Sequence, residues 1–218
     1  MIEKLLPNGV VAVDTHDDWL DIVLSPEEEA TLGQATDRRR REFVTARGCA
    51  QQALKRLGLP PSSIPIGSQG EPRWPDGVVG SITPRAGYRA CALAHAGSTA
   101  AVGIDAEPHE ALPHGVLSAI TGTQERAWLT ELMHAKPTTH WDRLAFSAKE
   151  AVYKTWFSLT RRRLEFEDVI VTFDTVKQIF HARLLIPDPL VGQSGPTALD
   201  GCWLARDGLV LTAITLPK

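Results

Sequence analysis

Two long stretches of helical periodicity constrain the fold of this chain most. The first spans Asp37 to Leu57 and stops at Gly58, with Phe43, Ala46, Ala50, Ala53, Leu54 and Leu57 at helical spacing. The second runs from Trp141 to Phe157 and carries Trp141, Leu144, Phe146, Val152, Trp156 and Phe157, so it is expected to be largely buried. Strand-like runs follow each: Val78 to Thr83, Tyr88 to Ala94 and Ala100 to Glu107 after the first, and Val169 to Phe173, Phe180 to Ile186 and Leu209 to Leu216 after the second. Parallel strands need a helical crossover between them, and regular alternation of strand and helix is missing. The order predicts an α+β fold rather than a doubly wound sheet.

The remaining segments fit around this frame. Val10 to Val13 reads as a strand, and Ser25-Pro26-Glu27-Glu28-Glu29 as a capped helix start with Pro at the first helical position. Leu117 to Met133 reads as one helix, whereas Pro60 to Gly77 and Pro187 to Gly201 read as loops. With 218 residues, 43% of them hydrophobic, the chain can bury one large domain or two small ones. A net charge of −3 gives no global reason to expect nucleic acid or an anionic membrane as partner. Cys49, Cys91 and Cys202 are odd in number and widely spaced, which argues against both zinc and a disulfide framework and for a reducing cytoplasm. No run of about 18 apolar residues is present, so no membrane span is expected.

Two segments concentrate acid. In Val102-Gly103-Ile104-Asp105-Ala106-Glu107, the carboxylates are two apart and share a strand face. Paired hard oxygens suit Mg²⁺; a strand end meeting solvent is the plain alternative. In Phe146-Ser147-Ala148-Lys149-Glu150-Ala151-Val152-Tyr153-Lys154, Glu150 and Lys154 share a helix face, either as an exposed ion pair or as a charged cluster that needs a ligand. Basic residues gather in Arg38-Arg39-Arg40-Arg41 and Arg47, where arginine suits bidentate phosphate contact; Arg38 and Arg41 read as a solvated helix end.

Taken in order, these segments resemble the Sfp-type 4'-phosphopantetheinyl transferases, closest to actinobacterial members serving polyketide and non-ribosomal peptide synthases. The similarity rests on Arg39 to Arg47, Gly70-Glu71-Pro72 with Trp74-Pro75, Gly80-Ser81-Ile82-Thr83, Gly103 to Glu107 and Phe146 to Lys154. The ordered pair Gly-x-Asp-x-Glu, then Ser-x-Lys-Glu-x-x-x-Lys, is its specific part. The resemblance implies two similar α+β halves packed as a pseudodimer, residues 1–104 and 105–218, with coenzyme A in the cleft between them. It implies an enzyme that moves the 4'-phosphopantetheine arm of coenzyme A to a serine of an apo acyl or peptidyl carrier protein, releasing 3',5'-ADP. Asp105, Glu107 and Glu150 would hold Mg²⁺, with the Ala106 carbonyl near it. Glu150 would be the base and Lys154 the neutralising cation. Arg39, Arg47, Gln69, Gly70, Glu71, Pro72, Ser81, Thr83, Pro84, Asp105, Lys149, Glu150 and Lys154 would bind coenzyme A. A monomer that also accepts acyl-CoA is expected, with neither nucleic acid nor membrane as partner.

Two positions depart from that pattern: Pro84 stands where the family usually has histidine, and Gln69 where a Lys or Arg is common. Charge-assisted hydrogen bonds contribute roughly 1.5–3 kcal/mol each, so coenzyme A binding weaker than is usual for the family is expected, with Arg85 as a substitute charge. A coenzyme A-binding protein without transferase activity is one alternative, opposed by retention of the acids and Lys154. A Mg²⁺-dependent nuclease is another, opposed by the net charge. Arg161, Arg162 and Arg163 are either a carrier contact or a solvated basic turn.

Overall fold

The computed structural model describes residues 1–85, 87–186 and 196–218. The chain forms two compact units, Met1–Ile104 with Thr215–Lys218, and Asp105–Ile214. In the first, strands β1 (Val10–Thr15), β2 (Val78–Arg85) and β3 (Tyr88–His95) make an antiparallel sheet of order β1-β3-β2. Pro84 sits on the edge strand β2, where its missing N–H costs no ladder bond on the open side. Helix α1 (Pro26–Leu32) opens with a full capping box: the Ser25 hydroxyl accepts from the Glu28 N–H, and the Glu28 carboxylate accepts from the Ser25 N–H. Helix α2 (Asp37–Arg56), capped by Thr36, packs small residues against the sheet. Its Cys49, Ala50, Ala53 and Leu54 join Val13, Val78, Cys91 and Leu93 in one buried cluster.

Strand β4 (Thr99–Pro108) carries the chain from the first unit into the second. It heads a five-stranded sheet of order β4-β8-β7-β6-β5, with β5 Val169–Asp174, β6 Ile179–Leu184, β7 Ala198–Arg206 and β8 Leu209–Pro217. Helices α3 (Val116–Ile120), α4 (Thr123–Ala135) and α5 (Trp141–Thr160) complete this unit. Trp141 of α5 packs against Phe173 and Trp203 with ring centroids 5.6 and 5.3 Å away, forming an aromatic core between helix and sheet. Each unit thus lays a 20-residue helix, α2 or α5, on an antiparallel sheet. The fold is α+β.

Two sequence expectations are corrected here. Leu117 to Met133 is not one helix: Thr121 is extended and Gly122 caps a new one, separating α3 from α4. The expected loop Pro187 to Gly201 gives way to β7 from Ala198 onward, while residues 187–195 lie outside the described residues. The strand was obscured because Asp200-Gly201 looks like a turn. Gly201 is in fact an inward-facing position, where a Cβ would collide with the Phe180 ring and come within 2.7 Å of the Ala213 carbonyl.

Candidate active site

The acids of β4 are deeply buried, Asp105 4% exposed and Glu107 2%. Burial of two carboxylates on one strand face demands compensation, and α5 supplies it. Lys154 donates to Asp105 Oδ1 at 2.7 Å, and Arg143 donates to Glu107 Oε2 at 3.1 Å. Lys154 thus takes part in a pair that crosses from helix to strand. Position 150 follows Arg143 by seven and precedes Lys154 by four, so all three lie on one stripe of the helix. Glu150, half-buried, consequently sits on the face of α5 that meets β4, between the two cations.

The segment leaving β4 is tied to the start of α5. Arg143 Nε donates to the Glu110 carbonyl and Nη2 to the Ala111 carbonyl, both at 3.1 Å. Asp142 accepts from the Leu112 N–H at 2.8 Å. His109 Nε2 accepts the His140 N–H at 3.1 Å, which places its own proton on Nδ1; burial, then His140, lowers its pKa. Sequence reasoning missed Arg143, Asp142 and His109. The one available signal was the seven-residue spacing of Arg143 from Glu150.

Among the described residues, no group of three or more His, Cys, Asp or Glu is arranged to hold a metal ion. The donor chemistry nevertheless fits Mg²⁺: Asp105 and Glu107 are hard oxygen donors on one face, and Glu150 is on the helix stripe opposite.

Lys149, expected beside a pyrophosphate, is enclosed by protein oxygens. Only 1% exposed, its ammonium donates to the carbonyls of Ile120, Phe166 and Val169 at 2.7, 2.9 and 2.6 Å and to Glu125 Oε2 at 2.8 Å. Burial lowers its pKa, and Glu125 opposes that shift.

In the first unit, Arg47 is buried, with its guanidinium 4.2 Å over the Phe43 ring and 3.6 Å from Glu28. Burial brings its pKa down to about 10, against the pull of Glu28. Arg39 is exposed at the start of α2, 4.0 Å from Glu42. Gln69, Gly70, Glu71 and Pro72 form a tight loop: the Gly67 N–H donates to the Glu71 carbonyl at 2.7 Å, and the Gln69 N–H to the Glu71 carboxylate at 3.0 Å. Gly70 supplies the positive φ of 87° that this turn needs. Ser81 and Thr83 are buried in β2, and the Ser81 hydroxyl accepts the Ile104 N–H at 3.1 Å. Pro84 is half-buried and Arg85 exposed.

Comparison with known proteins agrees with this architecture. Two family models match in tandem, the 4'-phosphopantetheinyl transferase N-terminal domain over residues 27–94 and the 4'-phosphopantetheinyl transferase superfamily over residues 101–197. The 4'-phosphopantetheinyl transferase Svp of Streptomyces mobaraensis is 46% identical over 99% of this chain and 89% of its own length. Npt of Nocardia iowensis is 44% identical over 98% of this chain and 99% of its length. PptT of Mycobacterium tuberculosis is 48% identical over 88% of this chain and 85% of its length. The chain belongs to the 4'-phosphopantetheinyl transferase superfamily, in its Sfp-type branch. It is an enzyme of that type, transferring the phosphopantetheine arm of coenzyme A to carrier proteins.

Proposed function

We propose that Asp105, Glu107, Glu150 and Lys154 form the reaction centre of this transferase. The observation that carries the proposal is the pairing of Lys154 with buried Asp105 and of Arg143 with buried Glu107, which sets the stripe of α5 that includes Glu150 against the same strand. Serine is a poor nucleophile and needs a base. Glu150 takes the proton of the acceptor serine as the serine oxygen bonds to the phosphorus that carries pantetheine. The bond from that phosphorus to the bridging oxygen breaks, and 3',5'-ADP leaves with the electron pair. Lys154 supplies positive charge against the departing phosphate. Asp105, Glu107 and Glu150 are the residues to hold Mg²⁺, which when bound neutralises charge developing on the pyrophosphate.

Arg39, Arg47 and Glu71 belong to the same proposal as contacts to the 3'-phosphoadenosine end. The neighbouring residues Gln69, Gly70, Pro72, Ser81, Thr83 and Pro84 complete the coenzyme A set. Acyl and peptidyl carrier proteins are the acceptors, acyl-CoA serves beside coenzyme A, and the enzyme acts as a monomer in the cytoplasm. Free thiols at Cys49, Cys91 and Cys202 are in keeping with a reducing compartment, and no described helix is long and apolar enough to cross a membrane.

Incubation with coenzyme A, Mg²⁺ and an apo carrier, read by intact mass, is expected to add the arm to the carrier. Asp105→Ala and Glu150→Gln are each expected to abolish the gain. Wild-type turnover in either variant would remove that residue from the reaction centre.

A further inference from the structure

Lys149 precedes Glu150 in α5, yet the two residues do different work. An ammonium has three N–H donors. Those of Lys149 face four oxygens at 2.6–2.9 Å, contributed by the end of α3, the first turn of α4, the turn at Phe166 and the first residue of β5. Glu125 is itself 3% exposed, and its second oxygen accepts the Val171 N–H at 2.8 Å. Swinging the ammonium out to a phosphate would abandon three carbonyls and a buried carboxylate together.

We propose that Lys149 is a positioning residue: it fixes the rotation of α5 about its axis, and thereby the aim of Glu150, without contacting coenzyme A. This rests on the assignment of Glu150 to the reaction centre. Glu150 is one residue, or 100° of helix, away from the Lys149 anchor. Lys154, paired with Asp105, and Arg143, paired with Glu107, pin the opposite flank of the same stripe. Three anchors on two flanks leave α5 no freedom to roll. A roll of about 20° would carry a carboxylate some 6–7 Å off the axis through roughly 2 Å. Misplacement by about 1 Å is enough to cost a catalytic group on the order of a hundredfold in rate.

The test compares Lys149→Met, Lys149→Arg and the double variant Lys149→Met with Glu125→Leu, in which no buried charge is left unpartnered. Melting temperature, coenzyme A affinity by calorimetry, and kcat and KM for transfer are read on each, well below the melting point. The expected result is coenzyme A affinity within about twofold of wild type in all folded variants. Along with it, kcat should fall tenfold or more in the double variant even where its melting temperature recovers. Recovery of kcat together with melting temperature would mean that the lysine serves stability alone and would overturn the proposal. A tenfold loss of coenzyme A affinity at unchanged melting temperature would overturn it in favour of a phosphate contact. Wild-type activity in Glu150→Gln sinks the reaction-centre assignment itself, so the two failures are distinguishable.

Discussion

At the scale of single residues, two cations decide what the buried acids of β4 can do. Lys154 donates to Asp105 and Arg143 to Glu107, so each of these buried acids faces a cation. Replacing Arg143 by Met takes the cation from Glu107 and frees the Glu110 and Ala111 carbonyls, so a loss of about 3–5 kcal/mol is expected in urea unfolding. The cysteines make a second prediction. Burial pushes the Cys49 thiol up to about 12, with Asp14 adding to the shift, and raises Cys91 well above its usual value. Cys202 is only half-buried and less perturbed. Thiolate is the reactive form, so near pH 8 the native protein should show one slowly reacting thiol and the denatured protein three. Rapid native labelling of Cys49 would contradict the packing of α2 on its sheet. Pro84→His is expected to tighten coenzyme A binding about tenfold, measured by calorimetry, because it restores a charge-assisted donor. An unchanged dissociation constant would leave the departure at this position without consequence.

Among elements, the close approaches are set by glycine. A Cβ at Gly80 would come within 2.6 Å of the Ala92 carbonyl and strike the Leu93 side chain; Trp74 lies just outside and donates to the Gly80 carbonyl at 3.0 Å. Gly80→Ala and Gly201→Ala should each cost about 1–3 kcal/mol, read as a lowered urea midpoint at unchanged slope. Ser25→Ala removes one arm of the α1 capping box and should cost about 1 kcal/mol. The long helices were legible because their apolar residues recur at helical spacing, and the first also stops at Gly58. What misled was a residue whose local preference and tertiary place differ. Gly122 interrupts a periodic stretch to cap α4, and Gly201 hides the strand β7 by standing where only a hydrogen fits under Phe180.

At the scale of the molecule, family membership and α+β class follow from the order of elements and motifs along the chain. Removal of divalent metal should abolish transfer reversibly: EDTA stops the gain of mass on an apo carrier and excess Mg²⁺ restores it. Transfer undiminished by EDTA would remove Asp105, Glu107 and Glu150 from a metal-holding role. The sequence by itself determined the grouping of the side chains proposed for the reaction centre, because a strand's two-residue period and a helix's four-residue spacing already put Asp105 with Glu107 and Glu150 with Lys154. It did not determine how those charges pair. Lys154 crosses to Asp105, Arg143 takes Glu107, and Lys149 disappears into a cage of carbonyls around Glu125. Those choices belong to tertiary structure. A buried charge must take whichever partners the packing of other elements brings within about 3 Å, and chain spacing carries no record of them.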